Sequence, residues 1–347
     1  MKFILCSFLG IFFLCSCSKE KHSDPVLREF KHIIHLAPVD SINLEELGIL
    51  SPERILYKKD HLILKNRQSP FLVSIYNIKD KTVLHTVPVG QGPNEATAIT
   101  LLKTYKNNSI SFRNWGTQTI QELQIDPYSG QIKTIVDLPS ESRVLNLFET
   151  KDYYIGSGVL AEKRFIRIHK QDDEYSYEID FPDNELVAGL NQLQKSVVFN
   201  AIRLEPKPDG KKFVTFMDGL MDIYDIKDTG FELTHSKEYF YPKFKISSEQ
   251  FGAPATFSRD AIMGYYSGTA DNNYIYILYS TYTYAENMAE GNGCKYLLIY
   301  DWEGNPIKAY QLEKPIGDIT IDNDGNFYSL GFNPEAIVYK YNMNNEE

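Results

Sequence analysis

Val73-Ser74-Ile75-Tyr76-Asn77, a turn at Lys79-Asp80-Lys81 and an extended run from Thr82 to Pro88 form a unit that this chain repeats. The pattern is a short apolar strand, a polar turn and an outer strand running to a proline. It returns at Leu123–Asp126 with a strand to Pro139, and at Phe165–His169 with a strand to Pro182. Two further copies are Met221–Asp225 running to Pro242 and Leu297–Asp301 running to Pro315. Aligned on Asn77, Asp126, His169, Asp225 and Asp301, the copies are 49, 43, 56 and 76 residues apart. Multi-stranded repeats of roughly 40 to 50 residues are the signature of propeller blades.

A sixth copy, Ala336–Tyr341, has no outer strand before the chain stops at Glu347. The missing strand is expected at the other end, where Phe30–Pro38 has the same extended, proline-terminated character. Its pairing with Ile337–Tyr341 would close the ring and remove two exposed sheet edges. The fold expected is therefore all-β, a six-bladed β-propeller over 30–347. The long 76-residue interval holds an insertion, Lys243–Met263, and short helical turns are expected at Leu44–Leu47 and Leu186–Leu193.

The aromatic fraction of 13%, with 24 Tyr and 20 Phe, suits strands. Residues 1–16 carry Lys2 and then an apolar run from Phe3 to Leu14, a signal-peptide core too short to span a bilayer as a stable anchor. Leu14-Cys15-Ser16-Cys17 looks like a lipobox, so Cys17 is the expected site of lipid attachment and 17–29 the lipidated tether. Cys294 is then the one free thiol of the mature chain, which excludes an intramolecular disulfide. The formal net charge of −10 becomes −11 when Lys2 leaves with the signal. A chain this acidic carries no electrostatic footprint for nucleic acid.

With Cys17, the six-fold pattern and Gly90-Gln91-Gly92-Pro93 in view, the chain resembles the TolB-like six-bladed β-propeller lipoproteins of the Bacteroidota. Tyr276–Ser280, Ile299–Pro306 and Tyr328–Glu335 look like that family's successive strand signatures. The tract Thr281-Tyr282-Thr283-Tyr284 departs from it, since a small or basic residue usually follows Tyr279-Ser280 there. The resemblance implies an outer-membrane lipoprotein, on the periplasmic face because Lys19-Glu20-Lys21-His22 is not an acidic surface-display cluster. It brings no catalytic motif.

Three stretches are candidates for ligand or partner contact. Gln91, Asn94 and Glu95 lie in the Gly90–Ala96 loop, whose glycines would take backbone angles closed to other residues. They either present amide and carboxylate groups at a rim or only shape a blade junction. Arg113, Asn114 and Trp115 combine a cation, an amide and a flat ring suited to a sugar or anion, or to packing between blades. Tyr282 and Tyr284 would share one face of an extended strand, as a stacking platform or as ordinary cross-strand packing.

Asp322-Asn323-Asp324-Gly325 lacks the downstream acid of a calcium loop and reads as a hairpin turn. The histidines are scattered, so no metal site is expected, and no cofactor is implied. The function expected is a ligand-binding or protein-interaction module, held at the membrane by the lipid on Cys17 and taking an envelope protein or a glycan. The alternative is an envelope enzyme of lactonase, lyase or glycan-processing type. Its groups would converge from different blades on the central channel.

Overall fold

The computed structural model describes residues 24–104, 106, 108–139, 143–160, 162–199, 203–246, 255–290, 293–332 and 334–343. Cys17 and the signal lie outside them. Among the described residues six sheets follow one another as blades, each built on four antiparallel strands with its first strand innermost, and the fifth carries an additional parallel strand at its outer edge. Blade I is Pro52–Lys58, His61–Asn66, Phe71–Asn77 and Thr82–Pro88. Blade II is Ile99–Leu101, Ser109–Asn114, Thr119–Ile125 and Tyr128–Asp137. Blade III is Arg143–Glu149, Tyr153–Val159, Phe165–His169 and Tyr175–Glu178. Blade IV is Arg203–Pro206, Lys212–Met217, Leu220–Lys227 and Gly230–Glu238. Blade V is Ile262–Ala270, Tyr274–Thr283, Cys294–Asp301 and Pro306–Ile316, and blade VI begins with Asp318–Ile321, Asn326–Phe332 and Ala336–Asn342.

Middle strands are sandwiched between neighbouring blades, so they read as continuous apolar runs rather than alternating ones. Leu62, Ile63 and Leu64 are all fully buried for this reason. Among the described residues six apolar clusters fill the blade junctions, and a seventh packs around Val197, Val198 and Phe199. That between III and IV is aromatic, with Phe165 edge-on to Phe213 at 5.4 Å and Phe213 stacked on Tyr224 at 5.0 Å. Outer strands such as Tyr128–Asp137 are mostly solvent-facing.

An N-terminal strand completes blade VI, as expected, but it is not the expected segment. Asp40–Asn43 pairs antiparallel with the last strand, Asp40 opposite Lys340 and Asn43 opposite Ile337. Ile33–Leu36 instead adds in parallel to the outer strand of blade V, Ile33 opposite Ala309. Pro38 therefore separates two strands that serve two blades, rather than ending one.

Residues 24–29, assigned from sequence to the tether, also pack on the propeller. Val26 and Leu27 are buried in the blade IV–V cluster, and Phe30 lies edge-on to Tyr300 at 5.3 Å. Asp24 Oδ2 accepts from the Tyr279 hydroxyl at 2.7 Å, and Glu29 Oε2 pairs with Lys237 at 2.8 Å.

The turn expected near Leu44 is the 3-10 segment Glu45–Leu47, while that expected over 186–193 falls later, as the helix Gln192–Val198 capped by Asn191. The 243–263 insertion carries two short strands, Phe244–Ile246 and Ala255–Phe257.

Candidate functional site: the central channel

The innermost strands of all six blades surround a channel. At the end where those strands begin it opens into a cavity of about 860 Å³, large enough for a drug-sized ligand. At the other end lies a second cavity of about 380 Å³. Leu56, Lys103 and Glu205 line both, which makes them the waist of the channel.

Strand geometry decides what reaches this axis. Alternate residues of an innermost strand face the channel, so a charge interrupting its apolar run is delivered there. Arg203 and Glu205 are two apart on the first strand of blade IV, and both line the large cavity. They are joined by Arg54 from blade I and Lys103 from blade II, with Lys65, Arg67 and Glu53 nearer the mouth. In a chain of net charge −10, five cations and two acids line this cavity.

Most of these charges have partners. Arg54 Nη1 lies 3.2 Å from Asp318 Oδ1 and 3.3 Å from Ser267 Oγ. Lys103 Nζ lies 3.2 Å from Glu205 Oε2 and 3.4 Å from the Gly268 carbonyl. Glu205 is almost wholly enclosed, and burial pushes its carboxyl above the usual range although Lys103 pulls the other way. Lys65 and Arg67 both pair with Glu53.

Arg203 differs. Among the described residues its guanidinium has one hydrogen bond, from Nε to the Tyr266 carbonyl at 3.2 Å, and no carboxylate partner. Burial, and then the neighbouring Arg54 charge, lower its pKa.

Below the waist, Lys58 donates to Thr104 Oγ1 at 2.8 Å and to the Lys106 carbonyl, and burial brings its pKa down to about 8. Glu149, fully enclosed, takes Lys170 at 2.7 Å and Lys106 at 3.4 Å. This lower network ties the first three blades together.

None of the stretches singled out from sequence lines the cavity, and the structure does not bring them together. In the Gly90–Ala96 loop, Glu95 Oε2 accepts from the Gly92 N–H at 2.8 Å. A Cβ at Gly90 would lie 1.9 Å from that oxygen. Neither Gly90 nor Gly92 takes the left-handed backbone expected of it. They make room for a carboxylate, and the positive φ in the loop, 61°, belongs to Asn94. Asn94 Oδ1 accepts from the Ile132 N–H at 2.8 Å, tying the loop to blade II, while Gln91 is exposed.

Arg113 is buried with its guanidinium 3.8 Å above the Trp115 ring and bonded to Gln118, and Trp115 Nε1 donates to Thr100 at 3.0 Å. Asn114, also buried, donates to Gln121 at 3.2 Å.

Tyr282 and Tyr284 do not share a strand face. The strand ends at Thr283 and Tyr284 opens the helix Tyr284–Glu290. Tyr282 OH accepts from Lys295 at 2.6 Å, while Tyr284 OH lies 3.5 Å from Asp218 Oδ1.

Asp322 Oδ1 caps its own turn, accepting from the N–H groups of Asp324 and Asn326 at 2.9 Å. Among the described residues no group of three or more His, Cys, Asp or Glu is placed to hold a metal ion.

Sequence reasoning missed the channel charges. The signal present was the interruption of first-strand apolar runs, as in Glu53-Arg54-Ile55-Leu56 and Arg203-Leu204-Glu205.

Solved structures share the architecture. A luciferin-regenerating enzyme superposes with a TM-score of 0.51 at 12% identity, covering 88% of this chain and 95% of its own. A gluconolactonase from Xanthomonas campestris gives 0.50 at 10% identity, covering 84% and 86%. At such identities the likeness is one of fold. Among curated proteins the sequence has no match. The family model described as TolB-like 6-blade propeller-like matches residues 29–324, and the chain belongs to that family.

Proposed function

We propose that this chain is a lipid-anchored ligand-binding module of the cell envelope, and that its ligand enters the large end of the central channel. The observation that carries the reading is the 860 Å³ cavity, apolar between its charges and fed by side chains from every blade. A large concave pocket with a few convergent polar groups is the default binding site of a fold. The lipobox ending at Cys17 supports attachment to the outer membrane, and the tether composition supports its periplasmic face. A glycan or an envelope protein segment would enter from that compartment.

Glu205 favours a second reading, in which the channel is catalytic. Its burial holds the proton more tightly than an exposed carboxylate would, as a general acid requires, and Lys103 sits beside it.

Ligand screening by thermal shift tests the first reading, with the purified chain compared with Leu50→Trp. Leu50 is exposed at the cavity mouth, so a larger ring there narrows the entrance without disturbing the core. Binding in the channel predicts compounds that stabilise the wild type and lose their effect in the variant. If every stabilising compound acts equally on both, the ligand does not enter this way.

A further inference from the structure

We infer that the ligand of this channel carries a carboxylate, which docks on the Arg203 guanidinium with Arg54 beside it. The inference rests on the binding reading above and adds the chemical class of the ligand.

Three observations support it. Arg54 and Lys103 are each matched by an acid, Asp318 and Glu205, at 3.2 Å. Arg203, on the same cavity wall, is matched by none among the described residues, so these five groups leave one positive charge facing the cavity. Keeping a guanidinium there costs desolvation and repulsion from Arg54, which the pull of Asp318 and Glu205, each already paired with another cation, only partly offsets. An arrangement that destabilises the empty protein fits a group held ready for a ligand.

The charge count sets the class. One negative charge balances Arg203 and its four charged neighbours, which fits a monoanionic carboxylate at that point, while Lys65, Arg67 and Glu53 leave one further positive charge nearer the mouth. The planar fork of Arg203 matches a carboxylate in two-point contact. Leu56, Leu101, Leu147, Leu204 and Met263 line the same space, so the body behind the carboxylate is apolar or has an apolar face.

The test uses benzoate as the charged probe, benzamide as its neutral counterpart and phenyl phosphate as the dianion. Thermal unfolding is followed for the purified wild type, Arg203→Gln and Arg203→Lys at matched ionic strength in chloride. Benzoate should raise the wild-type midpoint by about 2 °C, Arg203→Lys by less, and Arg203→Gln no more than chloride does. Benzamide should move none of them. Without any probe, Arg203→Gln should melt at or above the wild type, because it sheds an unpaired, half-desolvated charge.

No benzoate effect on the wild type, an equal effect on Arg203→Gln, or an equal effect of benzamide would each overturn the inference. So would a lower unliganded midpoint of Arg203→Gln, which would make Arg203 a structural residue. A stronger Arg203-dependent effect of phenyl phosphate would overturn the carboxylate assignment. A neutral compound from the screen whose effect is lost in Leu50→Trp would overturn the anion inference while leaving the binding module standing.

Discussion

Arg54, on the first strand of blade I, and Asp318, on the first strand of blade VI, meet at 3.2 Å across the seam where the ring closes. Asp318 is nearly inaccessible, and its second oxygen accepts from the Ile55 N–H at 2.8 Å while Ser267 of blade V donates to the first. One carboxylate thus joins three consecutive blades around the channel. Removing one partner of a buried pair leaves the other charge uncompensated. Asp318→Ala is expected to lower unfolding free energy by about 3 to 5 kcal/mol. Urea titration checks this, and a loss below about 1 kcal/mol would show that the seam is held by apolar contacts alone.

The same seam is closed at its outer edge by Asp40–Asn43. A chain shortened to begin after Asn43 exposes the unpaired edge of Ala336–Asn342 and should self-associate, read by size-exclusion chromatography. A chain beginning after Leu36 keeps that strand and should elute as the full chain does. It should melt lower than the full chain, because Val26, Leu27 and Phe30 leave the blade IV–V cluster. Equal association by both would mean that closure depends on the parallel strand Ile33–Leu36.

The repeat was legible because each blade repeats a short-range signal. An apolar middle strand, a turn residue and an outer strand all follow from local alternation and local turn chemistry. Asp40-Ser41-Ile42-Asn43 gave no such signal: it is polar and four residues long, and only its pairing with the last strand makes it a strand. Local signals therefore point to the more apolar Phe30–Pro38, whose Ile33–Leu36 joins blade V instead. The channel charges were obscure for a related reason. Arg54, Lys103, Arg203 and Glu205 are scattered along the sequence, and the closed ring brings them together. Glycine-rich and aromatic runs are the more conspicuous in the sequence, yet the Gly90–Ala96 loop satisfies its own carboxylate and Arg113 is covered by its own tryptophan.

Arg113 makes a sharper case of the same point. It is buried, its Nε and Nη1 find no hydrogen-bond partner among the described residues, and burial lowers its pKa to about 10. A charge in such a place costs the fold more than an apolar chain of similar length. Arg113→Met should change stability by less than about 1 kcal/mol or raise it, measured by urea unfolding. A loss of about 3 kcal/mol would mean that the stack on Trp115 and the bond to Gln118 outweigh desolvation.

Asp218 sets a pH dependence whose sign follows from its burial. It lies in the connection between the middle strands of blade IV, with φ 48° and the Tyr284 hydroxyl 3.5 Å away, and burial raises its pKa to about 7. In the unfolded chain the same group titrates near about 3.9. Between these values the folded chain holds a proton that the unfolded chain has released. The contribution is therefore fully present below about pH 4, falls as pH rises, and is lost above about pH 7. Asn mimics the protonated acid, accepts the same hydroxyl and tolerates a positive φ. Asp218→Asn should match the wild type near pH 4 and exceed it by about 2 kcal/mol near pH 8, half of what the full shift would give. Parallel stability curves for the two chains from pH 4 to pH 8 would show that Asp218 is solvated in the folded state and that its burial does not govern its proton.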